Sequence, residues 1–319
     1  MDKLGIGILR ELLIDESTLT LQSDVRRPYR DIAKKLGVTE DTVRNRVQKM
    51  QNTGLIRGWR LGFNPTLFNF QMEYIAMDVN PPSGKEDVIR LARTIPGVLG
   101  VQDYADNSVG ITLAYARREE LDRTITKLKR KGNPQSLFAT KTPFLSCRMK
   151  LTDMDWRIVK AIQENPRKPY GEVARDLGIS RRTVKRRAGR MIGGHAFWLL
   201  PELDVKKLDG VFAHLSVTYP PGSKPGIDRQ IFQRYGELVV MGHSTLPEYS
   251  WFAFILPNVG VAKDIQAWAS GIRGVVSAQV SVAEEIFYPQ ENVFENELQK
   301  AAPVLAASGK RYRGLTGKR

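Results

Sequence analysis

The sequence predicts an α+β fold in which a unit of roughly 150 residues occurs twice in one chain of 319 residues. Three observations lead to this prediction. The chain repeats itself, each copy opens with helical patterns interrupted by a glycine, and each copy continues as alternating strands and helices. We expect the boundary between the copies near residues 146–150.

The clearest repeat lies between residues 28–36 and residues 169–177, which read PYRDIAKKL and PYGEVARDL. The match continues without a gap through GVT and GIS, and then through a Thr-Val pair that both copies share. The offset is 141 residues throughout, and it also aligns Arg46 with Arg187. An ungapped match of this length indicates an internal duplication.

The first part of each copy predicts three helices. Apolar residues at helical spacing indicate the first helix, at 6–13 in the first copy and 156–162 in the second. The second helix ends at Gly37 or Gly178, and glycine at that position adopts the left-handed conformation that a sharp turn requires. A new helix then begins directly after the turn.

This third helix follows a hydroxyl residue typical of an N-cap and has one apolar face and one polar face. Helix, glycine turn and capped helix make a helix-turn-helix, whose second helix fits the major groove of DNA. The predicted DNA contacts are Thr39, Glu40, Asp41, Arg44, Asn45 and Arg46 in the first copy, and Ser180, Arg181, Arg182, Lys185, Arg186 and Arg187 in the second.

A glycine-containing segment follows the third helix in each copy. In the first copy, TGLIRGWRL at 53–61 predicts a short two-stranded wing, with Arg57 as a further DNA contact. In the second copy, GGHAFWLL at 193–200 is more apolar, so we expect it to pack inward rather than to contact phosphate.

The remainder of each copy alternates strand, helix, strand, strand, helix and strand, the order of a ferredoxin-like βαββαβ plait. Helices cover one face of such a sheet, and the open face needs a partner. The elements are predicted near 72–79, 85–95, 98–104, 108–116, 118–131 and 136–143, and near 211–218, 225–235, 237–244, 249–256, 259–271 and 275–284. The predicted domains are winged helix-turn-helix 1–66, ferredoxin-like 67–148, winged helix-turn-helix 149–208, ferredoxin-like 209–290 and a basic C-terminal tail 291–319.

The charge balance favours a polyanionic partner. The net charge is +15 with a pI near 9.9, which is typical of proteins that bind nucleic acid. The first residues do not resemble a signal peptide, and no apolar run is long enough to cross a bilayer. A lone cysteine, Cys147, suits a reducing compartment. We therefore expect a cytoplasmic protein whose partner is double-stranded DNA and not a membrane.

These residues resemble the Lrp/AsnC family of transcription regulators. The resemblance is carried by YRDIAKKLGVT at 29–39, TVRNRV at 42–47, GLIRG at 54–58 and the following Asn64-Pro65, and its element order covers nearly the whole chain twice. Two chains of that family pair through the open sheets of their plaits and present two DNA-binding domains. The resemblance implies that the two plaits of this chain pair intramolecularly as a pseudo-dimer. Further homo-oligomerisation stays open.

The resemblance also implies a small-molecule effector such as an amino acid, bound between plaits near a Gly-Asp-Tyr-Asp-like turn. This chain departs from that pattern, since it has YADNSVG at 104–110 and LPEYS at 246–250. The existence and identity of an effector therefore stay open.

The two third helices differ in charge. The second copy places six basic residues at 181–190, whereas the first copy begins its helix with Glu40 and Asp41. Basic side chains supply salt-dependent binding to phosphate, and an acid can accept a hydrogen bond from cytosine. We predict more nonspecific binding from the second copy, more base discrimination from the first, phosphate contacts from the shared Arg46 and Arg187, and an operator of two unlike half-sites. The basic residues at 309–319 are expected to form a disordered tail, and two roles stay open for it: contact with the DNA backbone, or solvation without a role in binding.

Two other functions stay open. Siroheme decarboxylases resemble the same two-domain unit, and such an enzyme would place basic and histidine side chains around an acidic tetrapyrrole. The three histidines are His195, His214 and His243, and the strands predicted to carry the last two lie about 10 Å apart, too far for a shared metal. No phosphate loop, serine elbow or pair of carboxylates is recognisable. We therefore expect no catalytic residue, metal or cofactor, and no enzymatic activity. An architectural chromatin protein would differ by its low sequence preference.

Overall fold

The computed structural model describes residues 1–13, 26–142, 147, 149–246, 248–288 and 293–294. The α+β class is confirmed, with helix-turn-helix units and ferredoxin-like plaits. The first half contains α1 (Lys3–Leu13), α2 (Tyr29–Leu36), α3 (Glu40–Asn52), β1 (Ile56–Phe63), β2 (Gln71–Asp78), α4 (Lys85–Thr94), β3 (Val98–Tyr104), β4 (Ser108–Tyr115), α5 (Arg118–Gly132) and β5 (Leu137–Lys141). The second half contains α6 (Asp153–Gln163), α7 (Tyr170–Leu177), α8 (Arg181–Gly193), β6 (Phe197–Leu203), β7 (Val211–Thr218), α9 (Lys224–Tyr235), β8 (Val239–Leu246), β9 (Tyr249–Leu256), α10 (Val259–Ser270) and β10 (Ser277–Phe287).

The turn between the second and third helices has the same geometry in both halves. Gly37 and Gly178 are left-handed, with φ of 67° and 65°, so a residue with a Cβ would be strained there. The next helix is capped by a hydroxyl: Thr39 Oγ1 accepts from Thr42 N, and Ser180 Oγ accepts from Thr183 N, both at 3.1 Å. The local sequence thus fixes how α3 and α8 begin.

The strands of the two plaits form one antiparallel eight-stranded sheet in the order β5-β2-β4-β3-β10-β7-β9-β8. The halves join where β3 pairs with β10, with Tyr104 opposite Ala283. The sheet curls, since Phe138 on β5 contacts Tyr249 on β9 with ring centroids 5.3 Å apart. The concave faces of the two plaits therefore face each other.

The structure corrects the predicted two-stranded wing at 53–61. That segment supplies one strand, β1, and its partner is β6 of the other half. Trp59 lies opposite Pro201, and Arg60 lies opposite Leu200. The 141-residue offset of the repeat exchanges these two pairs, so a pseudo-two-fold axis passes between residues 59 and 60. A single strand cannot pair its own backbone groups, and the nearest available strand belongs to the other copy. Phe197 and Leu199 of β6 are fully buried, as the apolar composition of that segment predicted.

Each helix-turn-helix unit packs on the plait of the other half. The core under α1, α2 and α3 includes Val240, Ala253 and Ile255 from β8 and β9. The core under α6, α7 and α8 includes Met72 of β2 and Ala114 of β4. A polar contact also joins the first helix-turn-helix unit to the second half, because Arg10 of α1 donates to the carbonyl of Gly236 at 2.6 Å. The halves are therefore intertwined, with shared hydrophobic cores, and are not two separate domains in sequence.

The predicted tail at 291–319 lies mostly outside the described residues, but its beginning differs from the prediction. Phe294 is buried and packs against the rings of Phe63, Phe68 and Phe70, with centroids 5.5–6.1 Å away. The chain therefore contributes to the core beyond the predicted boundary, because an aromatic side chain there covers an apolar surface of the first half. Within the described residues, no helix is long and apolar enough to cross a membrane.

Candidate nucleic-acid interface

The recognition helices α3 and α8 bury equivalent apolar stripes and expose the opposite, polar face. Val43 and Val47 are buried in α3, and Val184 and Ala188 are buried in α8. The exposed faces differ in charge, because α3 has two acids and three basic residues, whereas α8 has six basic residues and no acid. The two faces therefore offer DNA very different electrostatic surfaces.

The acids of α3 pair with a basic neighbour on the same helix. The guanidinium of Arg44 contacts Glu40 Oε1 at 2.6 Å and Asp41 Oδ1 at 2.9 Å. All three side chains are exposed, so each pair contributes little to stability and can exchange for another partner. Asn45 is exposed beside them. Four of the predicted contacts of the first copy thus offer both donors and acceptors on one exposed face of α3.

The beginning of α8 carries four basic residues at helical spacing. Among the residues that the structure describes, no carboxylate lies within ion-pair distance of Arg181, Arg182, Lys185 or Arg186, and all four are exposed. Their charges repel one another at helical spacing, which is unfavourable without an anion nearby. The arrangement suits a phosphate backbone.

The other two basic residues of α8 pair with Asp155, whose carboxylate on α6 is fully buried. Arg187 Nη1 lies 2.9 Å from Asp155 Oδ1, and Arg190 Nη2 lies 2.7 Å from Asp155 Oδ2. The backbone N–H and hydroxyl of Thr152 donate to the same carboxylate at 2.9 and 2.7 Å. Sequence reasoning missed this cluster, although the Thr152–Asp155 spacing is that of a capping box.

The remaining predicted contacts, Arg46 and Arg57, also have intramolecular partners. Arg46 Nη2 lies 2.8 Å from Asp2, which accepts from Gly5 N at the beginning of α1. Arg57 lies 2.7 Å from Asp204. Arg46 and Arg187 therefore have equivalent positions, because each connects its recognition helix to the beginning of the first helix of its unit, α1 or α6. Their predicted contact with phosphate would require them to leave or share these partners.

The Asp155 cluster should make stability depend on pH. Burial raises the pKa of Asp155, but the hydrogen bonds from Thr152 and the ion pairs with Arg187 and Arg190 outweigh it and hold the pKa below its ordinary value of 3.8. A lowered folded-state pKa adds stability above the unfolded pKa and loses it as pH falls through the folded value. We expect Asp155→Asn to cost about 2 kcal/mol at neutral pH, since both arginines are partly exposed.

Urea denaturation of the wild type and Asp155→Asn across the acidic range tests this expectation. The difference in the free energy of unfolding should shrink below about pH 4, where the wild-type carboxyl begins to protonate. A difference that stayed constant down to pH 2 would contradict the role of this charge. Asp153→Asn, on the first turn of the same helix, is the matched control.

Two reciprocal stacks join the helix-turn-helix units directly. Arg26 lies over the ring of Tyr170 at 4.3 Å, and Arg167 lies over the ring of Tyr29 at 4.9 Å. Arg167 also donates to Tyr29 Oη at 2.5 Å. Because Arg26 aligns with Arg167 and Tyr29 with Tyr170, each contact is the pseudo-two-fold image of the other. The sequence carried a signal for it, since RRPY and RKPY open the two repeats.

The two segments at the position of the family's effector turn, 104–110 and 246–250, lie at the strand-strand turns of the plaits. A lysine closes each turn: Lys85 Nζ donates to the carbonyl of Asp106 at 2.7 Å, and Lys224 Nζ donates to that of Tyr249 at 2.8 Å. The side chains of His243, Ser244, Thr245 and Leu246, and Pro247 itself, lie outside the described residues. Each turn is thus held by a hydrogen bond from a lysine of the same plait.

A buried polar chain crosses between the plaits. Tyr74 Oη lies 2.7 Å from Tyr104 Oη, which lies 2.7 Å from His214 Nδ1. Burial lowers the pKa of His214 to about 3, so the imidazole is neutral at physiological pH. The rings of Phe212 and Trp251 pack on it at 5.1 and 4.5 Å. This interface is filled by side chains of the chain itself.

Comparisons with known proteins match both halves to related domains. The sequence profile of the AsnC-type helix-turn-helix domain matches residues 151–192, and that of the siroheme decarboxylase NirDL-like HTH domain matches residues 23–57. The two recognition units thus resemble related but distinct profiles.

Relatives of this chain include HTH-type transcriptional regulators of archaea. An uncharacterized HTH-type transcriptional regulator of Pyrococcus furiosus is 36% identical over 128 residues, which are 40% of this chain and 84% of the relative. Another, from Pyrococcus horikoshii, is 30% identical over 136 residues, 42% of this chain and 84% of the relative. The crystal structure of the siroheme decarboxylase NirDL with an iron-uroporphyrin III analogue matches with a TM-score of 0.54 and 18% identity, over 95% of this chain and 98% of that one. That similarity shows a shared fold.

Proposed function

The chain belongs to the Lrp/AsnC family of DNA-binding helix-turn-helix transcription regulators, and from this we propose that one chain binds a two-part operator as an internal pseudo-dimer in the cytoplasm. The observation that carries the proposal is the intertwined packing of the two halves. Each recognition unit lies on the plait of the other half, and β1 pairs with β6 across the pseudo-two-fold axis. A single chain thereby presents two recognition helices in a fixed relation.

The unequal charges of the recognition helices support an operator with two unlike half-sites. The four cations at the beginning of α8, which have no acidic partner in the described part of the chain, favour phosphate contacts, which strengthen binding to any sequence. The mixed cluster of Glu40, Asp41 and Arg44 on α3 offers donors and acceptors that suit base edges. We therefore assign more of the base discrimination to α3 and more of the nonspecific affinity to α8.

Selection of bound sequences from random duplex DNA at two salt concentrations tests the proposal. We expect an enriched motif of two unlike half-sites, one or two helical turns apart. A consensus with perfect two-fold symmetry would contradict the unequal roles of the helices. Binding without enrichment but with steep salt dependence would indicate an architectural protein instead.

The reciprocal stacks should set the spacing between the half-sites. Removing both rings in Tyr29→Ala/Tyr170→Ala frees the two units to shift, so a one-base-pair insertion between half-sites should cost the variant much less than it costs the wild type. We expect the wild-type penalty to be about tenfold or more, since one added base pair rotates a half-site about the DNA axis as well as displacing it.

Binding titrations with operators of altered spacing measure this penalty. Tyr235→Ala is the matched control, because Tyr235 also stacks under an arginine, Arg234, but lies in the second plait. An equal loss of affinity on insertion in the wild type, the double variant and Tyr235→Ala would show that the stacks do not set the spacing.

We also propose that the chain is not an enzyme, although the whole-chain similarity to a siroheme decarboxylase favours that activity as a second candidate. The packing around His214 supports the regulator, because a tetrapyrrole that used this buried histidine would have to displace several rings. Titration with an iron-bound uroporphyrin-type tetrapyrrole distinguishes the two. A saturable new absorption band accompanied by release of carbon dioxide would establish the enzyme.

A further inference from the structure

We propose that a cationic pocket at the beginning of α7 binds one backbone phosphate of the operator, on the side of the second half only. The inference rests on the proposed DNA binding and names a contact within it. The pocket lies where the two helix-turn-helix units meet, and it is lined by Arg26, Arg167, Pro169, Tyr170, Gly171 and Arg181.

Two of the three guanidiniums of this pocket are held in place by aromatic rings. Arg167 lies over both Tyr29 and Trp59, at 4.9 and 4.8 Å, and Arg26 lies over Tyr170. Neither Arg167 nor Arg181 has a carboxylate partner in the described part of the chain. Arginine binds phosphate through paired N–H groups, and a side chain already fixed in position loses little freedom on binding. The pocket is therefore prepared for an anion.

A glycine leaves the space that the phosphate would occupy. A Cβ built on Gly171 meets no atom within 4 Å, and the backbone there is not left-handed, so the conformation does not require glycine. Gly171 also lies in the first turn of α7, where the helix dipole favours negative charge. The absence of a side chain at Gly171 leaves the arginines and the first turn of α7 accessible to an anion.

The pseudo-symmetric position in the first half has a different composition. Arg30 stands where the second half has Gly171, and Glu40 stands where it has Arg181. Arg30 pairs with Asp31, and Glu40 pairs with Arg44. A side chain and an acid thus replace the open, cationic arrangement. Among the described residues, the equivalent position of the first half therefore lacks the open, cationic lining.

The position of Arg181 indicates a phosphodiester of DNA as the ligand. Arg181 is the first residue of recognition helix α8 and is exposed. A pocket that shares this residue opens toward the surface that α8 presents to DNA. A duplex with α8 in its major groove would carry its backbone past this opening.

Operators in which one phosphate at a time is replaced by an uncharged methylphosphonate test the pocket. Wild type should lose about tenfold in affinity at one phosphate beside the half-site bound by α8. Gly171→Glu should bind the unmodified operator about tenfold more weakly, show a salt slope smaller by about one, and lose nothing further at that phosphate. Gly171→Gln controls for size, and Gly226→Glu, at an exposed glycine of α9, controls for net charge.

The outcomes separate the pocket from the wider proposal. If every protein binds the selected operator but Gly171→Glu keeps the wild-type methylphosphonate profile, the pocket assignment is wrong and the DNA-binding proposal stands. If no operator can be selected for the wild type, the proposed function fails first. Binding of inorganic phosphate to the DNA-free wild type, abolished in Gly171→Glu and without any coupled operator phosphate, would assign the pocket to a free phosphorylated ligand and overturn the inference.

Discussion

Replacing Arg181, Arg182, Lys185 and Arg186 together with alanine should lower affinity for the operator by about a thousandfold at physiological salt, because each phosphate contact releases counterions. These four side chains are exposed and have no carboxylate partner in the described residues, so their removal breaks no internal ion pair. Alanine also has the highest helix propensity, so α8 should remain folded. Fluorescence anisotropy at three salt concentrations measures both the affinity and the salt slope, which should fall by three to four, about one unit per lost contact.

The matched variant changes the first recognition helix at the corresponding face. Alanine at Glu40, Asp41, Arg44 and Asn45 should leave nonspecific binding within a few-fold of wild type while reducing the preference for the operator over random DNA. Equal effects of the two quadruple variants on random DNA would contradict the division of roles between α3 and α8. Circular dichroism of both variants establishes that the fold is kept.

Replacing Phe197 with alanine should destabilise the protein by about 3–5 kcal/mol, the range for removing a fully buried aromatic ring. Phe197 lies on β6 opposite Phe63 of β1, and its side chain is in the core that joins α6 and α7 to the first half. The cavity would therefore loosen the second recognition unit and the connection between the halves at once. Urea denaturation provides the measurement.

Leu200→Ala on the same strand is the control, since this side chain is only partly buried and should cost about 1 kcal/mol. The intertwined cores also predict a single cooperative transition for the wild type. Similar losses for Phe197→Ala and Leu200→Ala, or two separate wild-type transitions, would contradict the packing of each unit on the other half.

Local patterns predicted most of the elements. The strand predicted at 72–79 is β2 at Gln71–Asp78, and the helix predicted at 118–131 is α5 at Arg118–Gly132. Apolar periodicity and turn residues determine such elements over short stretches of chain. Pairing between β1 and β6 was not predicted, because the partners are about 140 residues apart and no local signal specifies which copy supplies the second strand. The packing of each helix-turn-helix unit on the other plait was missed for the same reason.

The candidate site was predictable in its helices but not in its ion pairs. Caps and periodicity placed α3 and α8 and their exposed faces correctly in the sequence. The partners of Arg46 and Arg187 lie at the beginnings of α1 and α6, where Asp2 and Asp155 have no feature that marks them as partners of a distant arginine. Basic residues in a recognition helix can thus stabilise the fold through ion pairs as well as bind DNA.

The most direct test of the central claim is the mass of the protein–operator complex combined with hydroxyl-radical footprinting. The account predicts one chain of 36.0 kDa per duplex, with protection over both unlike half-sites. A complex that needs two chains to protect both half-sites, or one chain that protects a single half-site, would contradict the internal pseudo-dimer.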